Sequence, residues 1–538
     1  MADRVTEPDG ARLHDVIVVG AGFGGLYAIH RLRGDGLSVL CLEASDDIGG
    51  VWHHNRYPGA RCDVESLDYS YSFSPELQQD WVWTERYAAQ PEILAYLHHV
   101  ADRFDLRRNI LLDTRVTAAT RDDEAGEWTV ATAAGGSFRT RFLLLATGAL
   151  SSPKAPDLAG IDRFAGPVYR TSSWPAEPVD FAGKTVGVFG TGSTGVQCIP
   201  EIARQAERLF VFQRTPSYTL PNGNGPLDPR AVATVKARYE DYRAELRASR
   251  AGIPAPTSGE PGTDYSREQK RERWDACWQA GRGMPSHFID SMTPGPTNDE
   301  LCDYLRDKIR GIVADPATAE ALCPHDYPFG ARRICLETGY LDAYNRANVS
   351  LVDLRTEPLE HFTESGLRAG GTDYPLDAVV LAIGFDAFTG PVIKIDIRNG
   401  RGERLAERWA EGPRTYMGFM TAGFPNLFIL TGPGSPSVLT NVVMMLEHDV
   451  DWVADCIAWL GRQDIARIAA DESAEQAWME HVAELAAGTL YARHNSWYMG
   501  SNIPGKRRMF LAYTGGYAGF AAAAAEVAAD GYRGFLLG

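Results

Sequence analysis

The chain has few cysteines, and none of them is spaced for metal binding or dithiol chemistry. Eight of its 538 residues are cysteine, and no two of them lie within three positions of each other. The CxxC spacing of zinc sites and redox-active dithiols is therefore absent, and so is the CxxxxC pair of a dithiol-disulfide reductase. Scattered cysteines in a long chain are typical of buried thiols in a reducing compartment, so we expect a cytoplasmic protein.

The sequence also lacks long apolar runs and an excess of positive charge. No uncharged apolar run reaches about 18 residues, and the first fifteen residues have no apolar core, so neither a membrane span nor a signal peptide is expected. The net charge of −17 disfavours nucleic acid or an anionic lipid surface as a partner. With 44% hydrophobic and 23% charged residues, the composition is that of a globular protein of two to four domains.

Two segments have the strand, glycine turn, helix and strand pattern of a dinucleotide-binding βαβ unit. Residues 15–44 read DVIVVG, AGFGG, LYAIHRLRGDG and LSVLCLEA, and residues 184–216 read KTVGVFG, TGSTG, VQCIPEIARQAE and RLFVFQRTP. Further buried strands are predicted at FLLLATG and AVVLAIGFD. The pattern predicts an α/β fold with two Rossmann-like domains.

A charged segment with helical periodicity follows the second unit. It contains AVATVKARYEDYRAELRASR and the Pro/Gly-rich patch GIPAPTSGEPG. We therefore predict a first dinucleotide-binding domain over residues 1–150 and 387–538. The second should cover 151–218 and 333–386, with a helical insertion over 219–332.

The first glycine turn favours a nucleotide without a 2′-phosphate. Gly20, Gly22 and Gly25 form GxGxxG after an apolar strand, and Glu43 ends the next strand. The glycines allow the backbone to approach a pyrophosphate, and the carboxylate can accept hydrogen bonds from a ribose 2′-hydroxyl. This arrangement suits the adenosine half of FAD.

At the second turn, the residue expected to face the ribose carries the opposite charge. Gly190, Gly192 and Gly195 repeat the motif, but the following strand ends in Arg214, which can bind a 2′-phosphate through two hydrogen bonds. The sequence therefore predicts NADP at this turn and FAD at the first, and the pair predicts hydride transfer from NADPH to the flavin.

Several long segments resemble the type I Baeyer–Villiger monooxygenases, in particular those that act on phenylacetone and steroids. They are GGVWHHNRYPGARCDVES, WTERYAAQPEI, YPFGARR, AGFPNLFILTGPGSPS, SWYMGSNIPGK and the connector FAGPVYRTSSWP between the two turns. The resemblance covers nearly the whole chain. It implies that NADPH reduces FAD, that O₂ forms a C4a-peroxyflavin, and that one oxygen atom is inserted beside a ketone carbonyl to give an ester or lactone.

The resemblance also implies roles for individual residues. Arg333 matches the catalytic arginine, Asp63 matches a carboxylate that orients it near the flavin, and Arg332 falls where a basic residue reads the NADP 2′-phosphate. The FAD site is expected to include Gly20, Gly22, Gly25, Glu43, Gly50, Val51, Trp52, Asp63, Tyr69 and Val116. The NADP site is expected to include Gly190, Thr191, Gly192, Ser193, Thr194, Gly195, Arg214, Thr215, Arg332 and Trp497. The substrate pocket is expected to draw on Ile334, Ser437, Leu439 and Leu511, and no metal is expected at the His53–His54 pair.

The connector departs from the family fingerprint FxGxxxHxxxW(P/D) at one position, where Arg170 stands in place of histidine. Arginine keeps hydrogen-bond donors but cannot accept a hydrogen bond or titrate near neutrality, so we expect it to donate to a neighbouring acceptor. The Trp174-Pro175 ending favours the Baeyer–Villiger branch. The alternatives are a sulfide or amine oxygenase that uses the same flavin chemistry and a non-catalytic nucleotide-binding flavoprotein. A monomer acting on a small ketone and O₂ is expected, while the ketone, its regiochemistry and the pathway stay open.

Overall fold

The computed structural model describes residues 12–538, and the first eleven residues, where no signal peptide is predicted, lie outside this range. The strands are β1 Leu13–Val19, β2 Val39–Leu42, β3 Ile110–Leu111, β4 Val116–Asp122, β5 Glu127–Thr132, β6 Ser137–Leu145, β7 Val168–Arg170, β8 Thr185–Phe189, β9 Arg208–Gln213, β10 Thr219–Pro221, β11 Cys335–Glu337, β12 Val349–Asp353, β13 Leu359–Thr363, β14 Gly366–Ala369, β15 Thr372–Pro375, β16 Ala378–Leu381, β17 Asp396–Arg398, β18 Leu427–Ile429, β19 Ile468–Ala470 and β20 Phe535–Leu537.

The α-helices of the same range are α1 Phe23–Gly34, α2 Val51–His54, α3 Pro75–Asp80, α4 Gln90–Arg103, α5 Ser193–Gln205, α6 Pro229–Lys236, α7 Tyr239–Ala248, α8 Arg267–Ala280, α9 Pro296–Ile312, α10 Pro316–Leu322, α11 Tyr340–Ala343, α12 Gly390–Ile393, α13 Leu405–Arg408, α14 Val442–Arg462, α15 Glu472–Ala487 and α16 Gly516–Ala529. Within residues 12–538, no helix is long and apolar enough to cross a membrane.

The first sheet is built around β1 and has helices on its face. Its order is β17-β4-β5-β6-β1-β2-β3, and β18 pairs in parallel with the last residues of β6. Strands β1, β2, β3, β6 and β18 run parallel, and their apolar residues are buried, as expected where a parallel sheet is covered by other layers. Helix α1 packs closely on α14. A Cβ atom added at Gly24 of α1 would lie only 2.8 Å from Leu446 Cδ2 of α14.

The second sheet is parallel throughout, with the order β12-β9-β8-β16-β7. Helix α5 connects β8 to β9, so this sheet repeats the strand–turn–helix–strand unit of the first. The predicted α/β fold with two Rossmann-like units is therefore confirmed. The connector between the units is not purely a loop, because its residues 168–170 form the edge strand β7.

Five helices, α6 to α10, lie between residues 219 and 332. The chain enters and leaves this segment through β10 and β11, which pair in parallel. The core of the segment is aromatic and includes Trp274, Phe288 and Tyr304, each at most 1% exposed. Arg332 and Arg333 stand immediately before β11, so the exit from the insertion places both of them beside the β10–β11 pair.

A buried polar cluster joins α7 to the first glycine-turn domain. Arg243 donates to the Asp68 carbonyl oxygen at 3.0 Å and to Ser70 Oγ at 2.8 Å, and the Tyr242 hydroxyl donates to Asp68 Oδ1 at 2.5 Å. Asp68 is 1% exposed, and its Oδ2 has no hydrogen-bond partner among the residues described. Burial raises the pKa of Asp68 to about 7, so this carboxyl group titrates near neutrality.

We predict that Asp68→Asn reduces the pH dependence of stability. The native pKa of Asp68 lies above its value in the unfolded chain, so its contribution to stability is present at low pH and is lost as pH rises through about 7. The loss is at most ~1.4 kcal/mol per pH unit between the two pKa values. Unfolding temperatures of FAD-saturated parent and variant should diverge in favour of the variant from about pH 5 to about pH 7, and their difference should stay constant from there to about pH 9. The exposed Asp162→Asn serves as the control, and a difference that does not vary with pH would contradict the prediction.

Candidate active site

A cavity of about 1180 Å³ extends between the two sheets and is lined by both glycine turns. This volume exceeds the roughly 300–1,000 Å³ of a single small-molecule site. The carboxyl ends of parallel strands are the place where nucleotide-binding α/β folds hold their ligands. The cavity is therefore positioned and sized for more than one nucleotide.

The first and third glycines of each turn are required by backbone contacts. Gly20 and Gly190 have φ angles of 104° and 105°. A Cβ on Gly20 would lie 2.7 Å from the Ala146 carbonyl oxygen, and a Cβ on Gly190 would lie 2.4 Å from that of Ala382. A Cβ on Gly25 would lie 1.8 Å from the Gly20 carbonyl oxygen, and the equivalent distance from Gly195 to the Gly190 oxygen is 2.1 Å. No side chain fits at these positions.

The second glycine of each turn instead faces open space. Gly192 has no heavy atom within 4 Å of an added Cβ, and the nearest atom to one on Gly22 is Gly50 Cα at 3.6 Å. Both glycines line the cavity directly before the first turn of a helix, α1 or α5. Free backbone N–H groups and the positive end of the helix dipole meet there, so each cradle fits the pyrophosphate of a dinucleotide.

Glu43 and Arg214 lie at equivalent strand ends but in different surroundings. Glu43 is buried, and its carboxylate accepts backbone N–H groups from Ala21 at 2.6 Å and from Ser45 at 2.9 Å. These bonds hold it at the cavity wall. Arg214 is exposed, and its side chain makes no hydrogen bond or ion pair within the described part of the chain. Its donors are therefore free to meet an anion in the cavity.

Arg332 and Arg333 are adjacent in sequence and differ in environment. The guanidinium of Arg332 lies over the Tyr327 ring at 4.4 Å, and its Nε is buried with no partner among the residues described. Arg333 donates from Nε to Asp63 Oδ2 at 2.9 Å, from Nη2 to the same oxygen, and from Nη1 to the Val438 carbonyl oxygen at 3.2 Å. The ion pair connects the exit of the insertion to the segment that carries Asp63. The third hydrogen bond connects Arg333 to the loop after β18.

The charge of Arg333 is secured by its neighbours. The Asp63 carboxylate raises the pKa of Arg333 above its usual range and outweighs the opposing effect of burial, and a hydrogen bond with the Tyr498 hydroxyl adds to this. Arg333 thus stays cationic at the cavity wall. Tyr498 was not among the predicted site residues. It directly follows the predicted Trp497, and its hydrogen-bonding hydroxyl is the one feature of the sequence that could have suggested a role in the site.

The predicted flavin-lining residues come together on one side of the cavity. Trp52 Nε1 donates to the Tyr69 hydroxyl at 3.1 Å, and the two rings meet edge to face. Gly50, Val51 and Val116 line the same cavity, as do Asp63 and Glu43. The predicted NADP residues that line it are Thr191, Gly192, Ser193, Thr194, Arg214, Thr215, Arg332 and Trp497, together with Gly190. Gly25 and Gly195 do not line it, because they form the backing of each turn.

The four predicted substrate residues lie behind the cavity wall. Ile334 packs against the aromatic core of the insertion, while Leu439 and Leu511 belong to a cluster with Phe510. Ser437 is fully buried with φ of 44°. The cavity is lined in this region by Val438, Thr440, Ala149 and Leu150 instead. The sequence pattern located the loop but not which of its side chains faces inward.

A C-terminal loop closes over the cavity and is held there by polar contacts. Lys506 forms an ion pair with Asp386 and donates to Thr389 Oγ1 at 2.6 Å. Asn502 donates to the Phe385 carbonyl oxygen at 2.8 Å. These contacts tie the loop to the chain that crosses from the second sheet back to the first, and they hold Trp497 at the cavity. Sequence analysis did not identify this attachment.

The connector contacts the flavin side of the cavity through Trp174. This side chain is buried against Tyr169 and Phe181, and its backbone N–H donates to the His54 carbonyl oxygen at 3.2 Å. Arg170 ends β7 and is exposed, and within residues 12–538 its side chain has no hydrogen-bond or ion-pair partner. The acceptor that sequence analysis expected for Arg170 is therefore absent from the described structure.

The two adjacent histidines have separate partners. His53 Nε2 lies 2.8 Å from Asp46 Oδ1, and His54 Nε2 lies 2.8 Å from Ser45 Oγ. Their rings meet edge to face at 78°. Burial lowers the pKa of His54, which favours its neutral form. The pair serves to hold the segment after Glu43 against the cavity wall.

Comparison with known proteins identifies the class. Residues 13–229 match the family model described as flavin-binding monooxygenase-like. The chain is 39% identical to a Baeyer–Villiger monooxygenase of Pseudooceanicola batsensis, over 97% of this chain and 96% of that protein. It is also 39% identical to an acetone monooxygenase (methyl acetate-forming) of Gordonia sp., over 97% and 99%. It is 38% identical to a phenazine N-monooxygenase of Lysobacter antibioticus, over 97% of each chain. The fold and these relatives define a flavin monooxygenase.

Solved structures agree with this class. An oxidized steroid monooxygenase bound to NADP shares 49% identity, with a TM-score of 0.93 over 98% of this chain and 99% of that chain. A structure described as OTEMO in complex with FAD and NADP shares 37% identity, with a TM-score of 0.94 over 99% and 100%. The chain belongs to the Baeyer–Villiger monooxygenase family. The predicted family and the prediction of FAD and NADP as the two nucleotides are confirmed.

We predict that Gly192→Ala and Gly195→Ala have different effects. Alanine at 195 would place Cβ 2.1 Å from a backbone oxygen, so we expect a loss of stability of about 3 kcal/mol or more. Alanine at 192 meets nothing in the protein, so stability should change by less than about 0.5 kcal/mol. Its methyl group would occupy the pyrophosphate cradle, and NADP⁺ affinity should fall by about tenfold, equivalent to ~1.4 kcal/mol. Unfolding curves and NADP⁺ titrations distinguish the two, and equal stability of both variants would contradict the assignment.

Proposed function

We propose that this enzyme inserts one oxygen atom of O₂ beside the carbonyl of a small ketone, consuming NADPH, to give an ester or lactone. The observation that carries the proposal is the Arg333–Asp63 ion pair, which holds a permanent cation at the wall of a cavity lined by both nucleotide turns. Bound FAD would supply the redox chemistry with O₂. The chain supplies binding, orientation and charge.

The proposed role of Arg333 is to stabilise negative charge that develops next to the bound flavin. Its Nε and Nη2 groups are occupied by Asp63, and its Nη1 group reaches the loop that carries Val438. The guanidinium is therefore fixed in orientation before substrate arrives, and such preorganised donors are effective electrostatic catalysts. Asp63 acts through Arg333 and is a positioning residue in this scheme.

The domain boundaries remain those that the sequence predicts. We assign FAD to residues 1–150 and 387–538 and NADP to 151–218 and 333–386, with the insertion over 219–332. The first sheet draws its strands from both parts of the proposed FAD domain, and the second sheet draws its strands from both parts of the proposed NADP domain, which supports this division. All eight cysteines are free thiols, which supports the proposed cytoplasmic location. A monomer is proposed as well.

The proposed substrate is a ketone whose two groups attached to the carbonyl carbon pack against an apolar wall of the cavity. Ala149, Leu150 and Val438 line the cavity on the side of Arg333 and Trp497. A heteroatom oxygenase is the second candidate, and it is favoured by the 38% identity to a phenazine N-monooxygenase. Incubation with linear, cyclic, aromatic and steroidal ketones beside sulfides and an aromatic amine, followed by mass spectrometry, separates the two. Ester or lactone formation supports the proposal, and exclusive N- or S-oxide formation overturns it.

We predict that Arg333→Ala retains flavin reduction by NADPH and loses ester formation by at least a hundredfold. Removing one preorganised donor from an oxyanion-type site costs roughly 10²–10³ in rate, whereas hydride transfer depends on nucleotide position. Anaerobic stopped-flow absorbance measures reduction, and product analysis measures ester formation. The double variant Asp63→Asn/Arg333→Ala is the control for an unpaired carboxylate. Ester formation at near the parent rate by Arg333→Ala would exclude Arg333 as the catalytic residue.

We predict that Arg170→His and Arg170→Ala both fold, bind FAD and keep the coupling of NADPH use to product within about tenfold, or ~1.4 kcal/mol in barrier terms. The reason is that the Arg170 side chain is exposed and has no partner in the described structure. Peroxide release and ester yield are measured together for the three proteins. A hundredfold rise in the activity of Arg170→His would instead mean that the natural arginine impairs the connector.

A further inference from the structure

A third cation accompanies Arg214 and Arg332 at the second nucleotide turn. Lys154 lines the same cavity, although it comes from the segment that leaves β6 and crosses to the second sheet. Its backbone N–H donates to the Gly384 carbonyl oxygen at 3.2 Å, just beyond the end of β16. The crossing segment is thereby fixed beside the carboxyl ends of the strands of the second sheet.

Lys154 is not matched by a carboxylate in the protein. In residues 12–538, its Nζ makes no ion pair within 4.0 Å and no hydrogen bond, and the same is true of the guanidinium of Arg214. Asp157 lies near enough to favour the charged form of Lys154 but outside ion-pair distance. This is unusual for a chain in which 70 acidic residues outnumber 53 basic ones.

The two cations repel each other. Burial and the charge of Arg214 both lower the pKa of Lys154. Holding like charges together without a counterion is unfavourable, and perturbed groups of this kind cluster at functional sites. Thr191 Oγ1 donates to the Thr215 carbonyl oxygen at 3.0 Å, so the strand end after β9 is held next to the glycine turn. An anion bound at this turn would therefore lie beside both cations.

We propose that Lys154 contacts the 2′-phosphate of NADP(H) together with Arg214 and is a specificity-determining residue for this cofactor. In this fold the ribose 2′-position lies at the end of the second strand of the βαβ unit, where Arg214 stands. Arginine binds a phosphate monoester through paired donors, and lysine adds a compact point charge. The inference rests on the assignment of NADP to the second turn.

The test uses the FAD-saturated enzyme and measures dissociation constants by calorimetry for NADP⁺, NAD⁺, adenosine 2′,5′-bisphosphate and 5′-AMP. Lys154→Gln should weaken binding of NADP⁺ and the bisphosphate about tenfold, the lower end expected for a charge-assisted hydrogen bond at a partly exposed site. NAD⁺ and 5′-AMP should bind within about twofold of the parent, because they lack the 2′-phosphate. Lys154→Arg should restore the preference, since it keeps the charge.

The matched control is Lys184→Gln. Lys184 lies just before β8, at the opposite end of the same sheet, and its Nζ donates to the Asp180 carbonyl oxygen at 2.8 Å. It should leave the NADP⁺/NAD⁺ ratio unchanged, while Arg214→Gln should lower it. An unchanged ratio in Lys154→Gln, or an equal loss for NADP⁺ and NAD⁺, overturns the proposal. These binding data do not depend on whether an ester is formed, so the proposed reaction can fail without affecting them.

The pH dependence provides a second readout. The protonated lysine binds phosphate, so the NADP⁺/NAD⁺ affinity ratio of the parent should fall as pH rises through the lowered pKa of Lys154. The charged groups that face Lys154 are Arg214 and Asp157. Lys154→Arg should remove the fall. A parent ratio that does not fall with pH, or a fall that persists in Lys154→Arg, counts against the assignment.

Discussion

The ion pair between Arg333 and Asp63 holds together three parts of the chain that no single element contains. Asp63 follows the flavin-lining segment, Arg333 stands at the exit of the helical insertion, and the Val438 carbonyl oxygen that Arg333 also contacts belongs to the loop after β18. A guanidinium with this many fixed partners cannot rotate freely or lose its charge. The ion pair therefore ties the exit of the insertion to the segment around Asp63 and places a fixed cation at the cavity wall.

The same structural unit occurs twice in the chain, and the charge at its strand end differs between the two copies. In both turns, the third glycine packs on the carbonyl of the first and leaves the second open to the cavity. At the first strand end, Glu43 is buried and its oxygens are satisfied by backbone N–H groups. At the second, Arg214 is exposed and lies near another cation without a counterion. The carboxylate at the first strand end is therefore satisfied within the protein, whereas the guanidinium at the second strand end has no partner in the described chain.

The glycine turns and their strand ends could be predicted from sequence because they are local. Gly20, Gly25 and Glu43 lie within one βαβ unit, where spacing alone dictates which backbone atoms meet. Which side chains of the loop after β18 face the cavity could not be predicted in this way. Val438 faces the cavity and its neighbours Ser437 and Leu439 do not, because a backbone at φ of 44° at Ser437 turns the chain. The proposed role of Lys154 could not be predicted for a related reason, since it belongs to a crossover with no motif.

By itself, the sequence determined the α/β class, the two glycine turns, FAD and NADP as the cofactors, and the family. These follow from the spacing of glycines, the periodicity of apolar residues and the charge at two strand ends, all of which act over a few tens of residues. Only the tertiary structure decided that Arg170 is exposed without a hydrogen-bond partner in the described chain, that Asp63 meets Arg333, and that Lys506 attaches the C-terminal loop to Asp386. Those contacts join residues separated by more than a hundred positions, and they form only when two separately folded sheets and the insertion pack around one cavity.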